Sequence, residues 1–182
     1  MISVDYRLGL KGVRGITQSE FTALLDKAID IAVEDLFSAT AYLVKNGASL
    51  GIDAHNLVLT GSSAGAITAQ QAEYELCNRT PATSVLPADF NYTGIMAFAG
   101  AILVDGTLEY PEKPCPIMMF HGTEDELVPY TIIRNGTVSF CGPCTIQKAL
   151  ESSEAAYRFY RFPGINHAVA GYMPQTVDKQ VD

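Results

Sequence analysis

At 182 residues, 48% of them apolar, the chain is long enough to bury a sizeable core. A net charge of −8 with no basic block argues against a nucleic-acid partner, and no apolar run approaches the ~20 residues of a membrane span. No internal repeat, low-complexity tract or linker divides the chain, so residues 1–182 read as a single domain.

Ile2-Ser3-Val4-Asp5-Tyr6 reads as the end of a strand, and Met1 to Leu8 lacks the n-region and h-region of a signal peptide. Gly9, Gly12 and Gly15 mark an irregular loop. Thr17-Gln18-Ser19-Glu20 is a capping box opening a helix, with Phe21, Leu24, Leu25 and Ala28 at helical spacing. The pattern continues through Leu43 and Val44, with Gly47 as the C′ stop. Asn56 to Thr60 is an apolar strand, followed by Gly61-Ser62-Ser63-Ala64-Gly65 and a helix to about Cys77. Pro81 to Pro87 is a loop. Gly94 to Ile102 reads as a buried strand running into a Gly/Ala turn, and Pro116 to Phe120 as another that ends in His121-Gly122. A helix is expected from Thr145 to about Glu154, a strand over Tyr157–Phe162, and a loop through Pro163-Gly164-Ile165-Asn166-His167. Strands alternating with helices predict an α/β fold with a mainly parallel sheet. The loops after three of these strands, carrying Ser63, Asp125 and His167, then open on one sheet edge, where such sheets bind ligands.

Gly61-x-Ser63-x-Gly65 is the pattern of a nucleophile elbow, a strained strand-to-helix turn that lifts the serine hydroxyl clear of the backbone. The flanking residues come into close contact there, so Gly61 and Gly65 are expected where a Cβ would clash. The chain has three histidines. His55 precedes the elbow strand and belongs at the opposite sheet edge; His121 reads as a buried strand-cap residue. His167 is left as the best general base for Ser63. The acid that orients it should lie between serine and histidine. Asp125 is favoured, with Glu124 and Glu126 beside it as alternatives and Asp105 as a lower-ranked substitute.

These pieces, together with Ser3-Val4-Asp5-Tyr6-Arg7-Leu8 and His121-Gly122-Thr123-Glu124-Asp125 before Val128-Pro129, follow one another in an order that resembles the α/β-hydrolases, in their carboxylesterase/lipase-like branch. The resemblance implies an α/β-hydrolase fold, a mostly parallel sheet flanked by helices. It also implies Ser63 as nucleophile, Asp125 as acid, His167 as base and the Ala64 N–H as one oxyanion donor. In that family a stretch like Ser3–Leu8 forms the fourth strand. The earlier strands and the His-Gly-Gly loop that supplies the other oxyanion donors are not encoded in these residues. The chain is therefore expected to be the C-terminal part, from about the fourth strand onward, of a longer esterase.

The expected reaction is hydrolysis of a small-molecule carboxylic ester through an acyl-enzyme on Ser63, with no metal or cofactor. A non-catalytic binding protein on the same fold and a serine peptidase are the alternatives. Cys141-Gly142-Pro143-Cys144 has the spacing of a redox dithiol, but its place late in a hydrolase pattern favours a local disulfide or two plain thiols. Cys77 and Cys115 read as small core residues, and no His/Cys cluster has zinc-site spacing. Asn78-Arg79-Thr80, Asn91-Tyr92-Thr93 and Asn135-Gly136-Thr137 fit the N-glycosylation pattern. Tyr157, Phe159, Tyr160 and Phe162 read as strand packing. Phe140, Tyr130 and Tyr172 are candidates to line an acyl pocket.

Overall fold

The computed structural model describes residues 1–11, 13 and 15–171, so Gly12 and Tyr172 lie outside the described residues. Helix α1 runs Gln18–Leu50 and opens on the Thr17–Glu20 capping box, with Thr17 N–H donating to Glu20 and Glu20 N–H donating to Thr17 Oγ1. It does not stop at Gly47. Gly51, at φ 68°, is the left-handed terminator, and Ile52 N–H donates to the Gly47 carbonyl at 2.9 Å. Gly47 serves packing instead: a Cβ there would sit 2.9 Å from Ile52 O and 3.1 Å from Ala54 Cβ.

Strand β1 (Val58–Ser62) leads into helix α2 (Ala64–Asn78). Most of α2 is buried, because it lies between two apolar layers. Ala66 and Ala69 pack toward the sheet with Ile95, Ala97 and Met119, while Ile67, Ala72 and Leu76 pack with Ile29, Val33 and Phe37 of α1. A 3-10 turn over Pro81–Val85 precedes β2 (Gly94–Phe98). The strand runs into the expected Gly/Ala turn, where Ala99 at φ 52° takes the chain out of the sheet, and Ile102 then starts a further strand, β3 (Ile102–Asp105). Then follow β4 (Ile117–Gly122), β5 (Ile132–Asn135), β6 (Val138–Cys141), α3 (Pro143–Ser152) and β7 (Tyr157–Phe162).

The main sheet has the order β1-β2-β4-β7, all parallel. A second, antiparallel sheet of order β3-β6-β5 goes beyond the expected architecture. Its β5–β6 hairpin turns on Gly136 at φ 62°, the positive value a type II′ turn asks of its first central residue. Gln71 of α2 covers part of the free edge of β3 by pairing with the backbone N–H and carbonyl of Leu103 at 3.0 and 3.1 Å. The expected strand at Ile2–Tyr6 is absent. That segment makes no ladder hydrogen bonds and is tied to α1, with Arg7 N–H and guanidinium donating to Asp35. The four aromatic residues of β7 do pack: Tyr160 stacks on Phe120, which lies against Phe162, and Tyr157 and Phe159 join the main core. All four cysteines are free thiols.

Candidate active site

Because β1, β4 and β7 are parallel, the loops after them meet at one edge of the sheet. The first is the elbow. Gly61 and Ser62 still belong to β1, and Ser63 takes φ 54°, ψ −119° before α2 begins. Its N–H donates to the Phe98 carbonyl at 2.8 Å, which anchors the turn to β2. A Cβ on Gly61 would collide with the Gly65 carbonyl group and lie 2.7 Å from Ala66 N. Gly65 differs from expectation, since a Cβ there meets nothing within 4 Å. The close approach is one-sided: the backbone of Gly65 fills the space in front of Gly61, while the Cβ direction of Gly65 points away.

The second loop carries Asp125, whose side chain is fully buried. Its Oδ1 accepts the N–H groups of Leu127 and Val128, both at 2.9 Å. Glu124 and Glu126 on either side are exposed, and Asp105 ends β3 in the second sheet. The third loop carries His167. Gly122 lets it come down over β4, because a Cβ at 122 would run into the Ile165 and Asn166 carbonyls. Thr123 N–H donates to Phe162 O and Glu124 N–H to Ile165 O, each at 3.0 Å, so the second and third loops are tied directly together.

His167 Nδ1 lies 2.8 Å from Asp125 Oδ2, and His167 Nε2 lies 2.8 Å from Ser63 Oγ. An ionised carboxylate only accepts, so Nδ1 carries the proton toward Asp125 and Nε2 is free to accept from the Ser63 hydroxyl. The N–H of Ala64, the residue after Ser63, belongs to the first turn of α2, whose N–H groups lack helical partners.

His121 sits inside β4, 1% exposed, and burial pushes its imidazole below the ordinary value of 6.5, keeping it neutral. Its Nε2–H donates to the Val128 carbonyl at 3.2 Å, and the same nitrogen lies 3.3 Å from Asp125 Oδ2. A buried strand-cap role, as read from the sequence, misses this approach to the acid. The one signal for it in the sequence is the spacing of four from Asp125 across the Gly122 turn. His55 is exposed before β1, at the other end of the sheet.

Two mainly apolar cavities lie near the start of α2, and neither is lined by Ser63, Asp125 or His167. One, about 180 Å³, is lined by Leu8, Leu10, Leu25, Ala64 and Ile67. The other, about 200 Å³, is lined by Leu25, Ile67, Leu127, Val128 and Phe140. Tyr130 is not in either; it packs against His121 and Phe159. A larger cavity of about 480 Å³ lies between the second sheet and α3, around Arg134 and Lys148, and holds none of the three residues Ser63, Asp125 and His167. Among the described residues no cluster of three or more His, Cys, Asp or Glu could hold a metal, and no helix is long and apolar enough to cross a membrane.

The sequence profile of the phospholipase/carboxylesterase family matches residues 21–180. The chain belongs to this family of α/β-hydrolases. No curated protein matches it. Solved structures similar to this α/β-hydrolase include an α/β-hydrolase enzyme from a Medee basin deep-sea metagenome library, 20% identical, covering 74% of this chain and 49% of that one, with a TM-score of 0.51. A thermophilic esterase of the planctomycete Thermogutta terrifontis is 17% identical over 97% of this chain and 64% of that one, with a TM-score of 0.55. Esterase PE8 is 22% identical over 89% and 61%, with a TM-score of 0.54. At these identities the likeness is one of fold: a mostly parallel sheet flanked by helices. The chain spans roughly half to two-thirds of the length of these structures, 49% to 64%.

Proposed function

We propose that this α/β-hydrolase cleaves carboxylic esters of small molecules, with Ser63 as nucleophile, His167 as general base and Asp125 as the orienting acid. The observation that carries the reading is the unbroken relay from Ser63 Oγ to His167 Nε2 and from His167 Nδ1 to Asp125 Oδ2, 2.8 Å at each step. Ser63 Oγ attacks the ester carbonyl while its proton passes to Nε2, and the resulting imidazolium is held by Asp125. The tetrahedral oxyanion draws on the Ala64 N–H and the positive end of α2. Collapse expels the alcohol, which takes the proton from Nε2, and leaves an acyl-enzyme. Water then attacks the acyl carbon, giving its proton to His167; the bond from the acyl carbon to Ser63 Oγ breaks, Oγ takes the proton from Nε2, and the carboxylic acid is released. That the solved neighbours include proteins described as esterases is consistent with this reading.

The two cavities near the start of α2 bear on substrate. Both are mainly apolar and share Leu25 and Ile67, and each is smaller than the roughly 300–1,000 Å³ of a drug-sized pocket. The first is lined by Ala64, next to Ser63, and is the one placed to take a short acyl or alkyl chain rather than a long lipid tail. The test is labelling with a fluorophosphonate probe alongside turnover of p-nitrophenyl acetate, butyrate and dodecanoate. Wild type is expected to label and to favour the short esters; Ser63→Ala is expected to do neither. Labelling that survives the alanine change would sink the nucleophile assignment.

A further inference from the structure

The loop that presents Asp125 is held by backbone groups, and one of them is itself held by a side chain from the sheet. The Val128 peptide is gripped on both sides: its N–H donates to Asp125 Oδ1 at 2.9 Å, and its carbonyl accepts from His121 Nε2–H at 3.2 Å. His121 belongs to β4, where it pairs with Arg161 of β7 directly after Phe120, which pairs with both β2 and β7, so it is well fixed near the site. The same nitrogen lies 3.3 Å from Asp125 Oδ2, the oxygen that faces His167. Asp125 Oδ2 thus sits between two imidazoles, one 2.8 Å away in the third loop and one 3.3 Å away in the sheet. Both His121 and Asp125 have side chains no more than 1% exposed, so water offers no substitute for either contact.

A residue serving only to fill β4 could be apolar, as Met119 and Phe120 before it are. A buried imidazole is unfavourable unless its N–H is used, and here the N–H is aimed at the acid's own loop. We infer that His121 is a positioning residue for the acid, tying the Asp125–Val128 loop to β4 so that Oδ2 stays in register with His167 Nδ1. This rests on the proposed roles of Ser63, Asp125 and His167.

The discriminating pair is His121→Gln against His121→Asn. Both are neutral amides, but the Gln amide nitrogen falls where Nε2 was, whereas the Asn amide falls nearer the position of Nδ1. His121→Gln is expected to keep most of the turnover of a short p-nitrophenyl ester. His121→Asn is expected to lose roughly 10²-fold in kcat with KM unchanged, the scale of a misplacement of about 1 Å. The low-field proton NMR signal of the His167–Asp125 hydrogen bond is expected in wild type and His121→Gln and broadened or lost in His121→Asn. Equal activity in the two variants, or an unaltered signal in His121→Asn, overturns the inference. Ser63→Ala run alongside separates the two readings: turnover that persists in it defeats the assignment of Ser63 as nucleophile, while the NMR signal reports on His121 without any turnover.

Discussion

Among single residues, the two glycines of the elbow behave differently although the motif writes them alike. The space beside Gly61 is occupied by the Gly65 carbonyl, and that beside Gly65 is empty to 4 Å. Gly61→Ala is therefore expected to displace the start of α2, costing stability and most of the activity, while Gly65→Ala should leave the melting temperature within a few degrees of wild type. Thermal unfolding of both variants, with ester turnover, checks this; equal damage from the two would show that the contact is not one-sided. The serine and the histidine of the relay are legible in the sequence alone, because the motif names one and elimination leaves the other. The carboxylate that faces His167 is less so. Glu124, Asp125 and Glu126 are consecutive carboxylates, and what selects Asp125 is the pair of N–H groups from Leu127 and Val128, a turn geometry that composition does not reveal.

For the elements, helix α1 shows how a stop signal is misread. Gly47 and Gly51 both lie where a glycine could end the helix, yet only Gly51 has the left-handed backbone. Gly51→Ala meets no steric obstacle, so its cost is conformational, about 1 kcal/mol. Urea unfolding is expected to show that loss with the slope unchanged. Gly47 cannot be recognised from sequence, because its role depends on Ile52 and Ala54 folding back against the helix. The β5–β6 hairpin is legible but easily overlooked. Gly136-Thr137 between Ile132-Ile133 and Val138-Ser139-Phe140 is the signal of a two-residue turn with Gly at its first central position, and reading Asn135-Gly136-Thr137 only as a glycosylation acceptor hides it. The turn after β2 is legible in Ala99-Gly100-Ala101, whereas the return of the chain as β3 in a second sheet is not, because four residues carry too little pattern to mark a strand. The parallel core of β1, β2, β4 and β7 is readable because its strands are short apolar runs separated by helices or long loops.

Across the whole molecule, stability should depend on pH through two buried groups of opposite tendency. Glu73, 2% exposed, accepts the Cys115 N–H at 2.7 Å through Oε1, while Oε2 has no partner; burial raises its carboxyl above the ordinary value of 4.5. The folded state then binds more protons than the unfolded one, so stability is full below 4.5 and is lost as pH rises above it. His121 is lowered by burial, so its contribution is full above 6.5 and is lost as pH falls. Glu73→Gln should remove the first dependence alone. In urea unfolding, the variant is expected to gain on wild type as pH rises from 4.5, and a difference that stays constant as pH rises would refute the assignment.

The backbone at Ser63 has a consequence of another kind. A side chain at φ 54° costs about 1–3 kcal/mol, against a total of roughly 5–15 kcal/mol for a folded domain. Glycine would relieve most of that. Ser63→Gly is therefore expected to raise the melting temperature by a few degrees, and an unchanged melting temperature would show that the turn stores no strain.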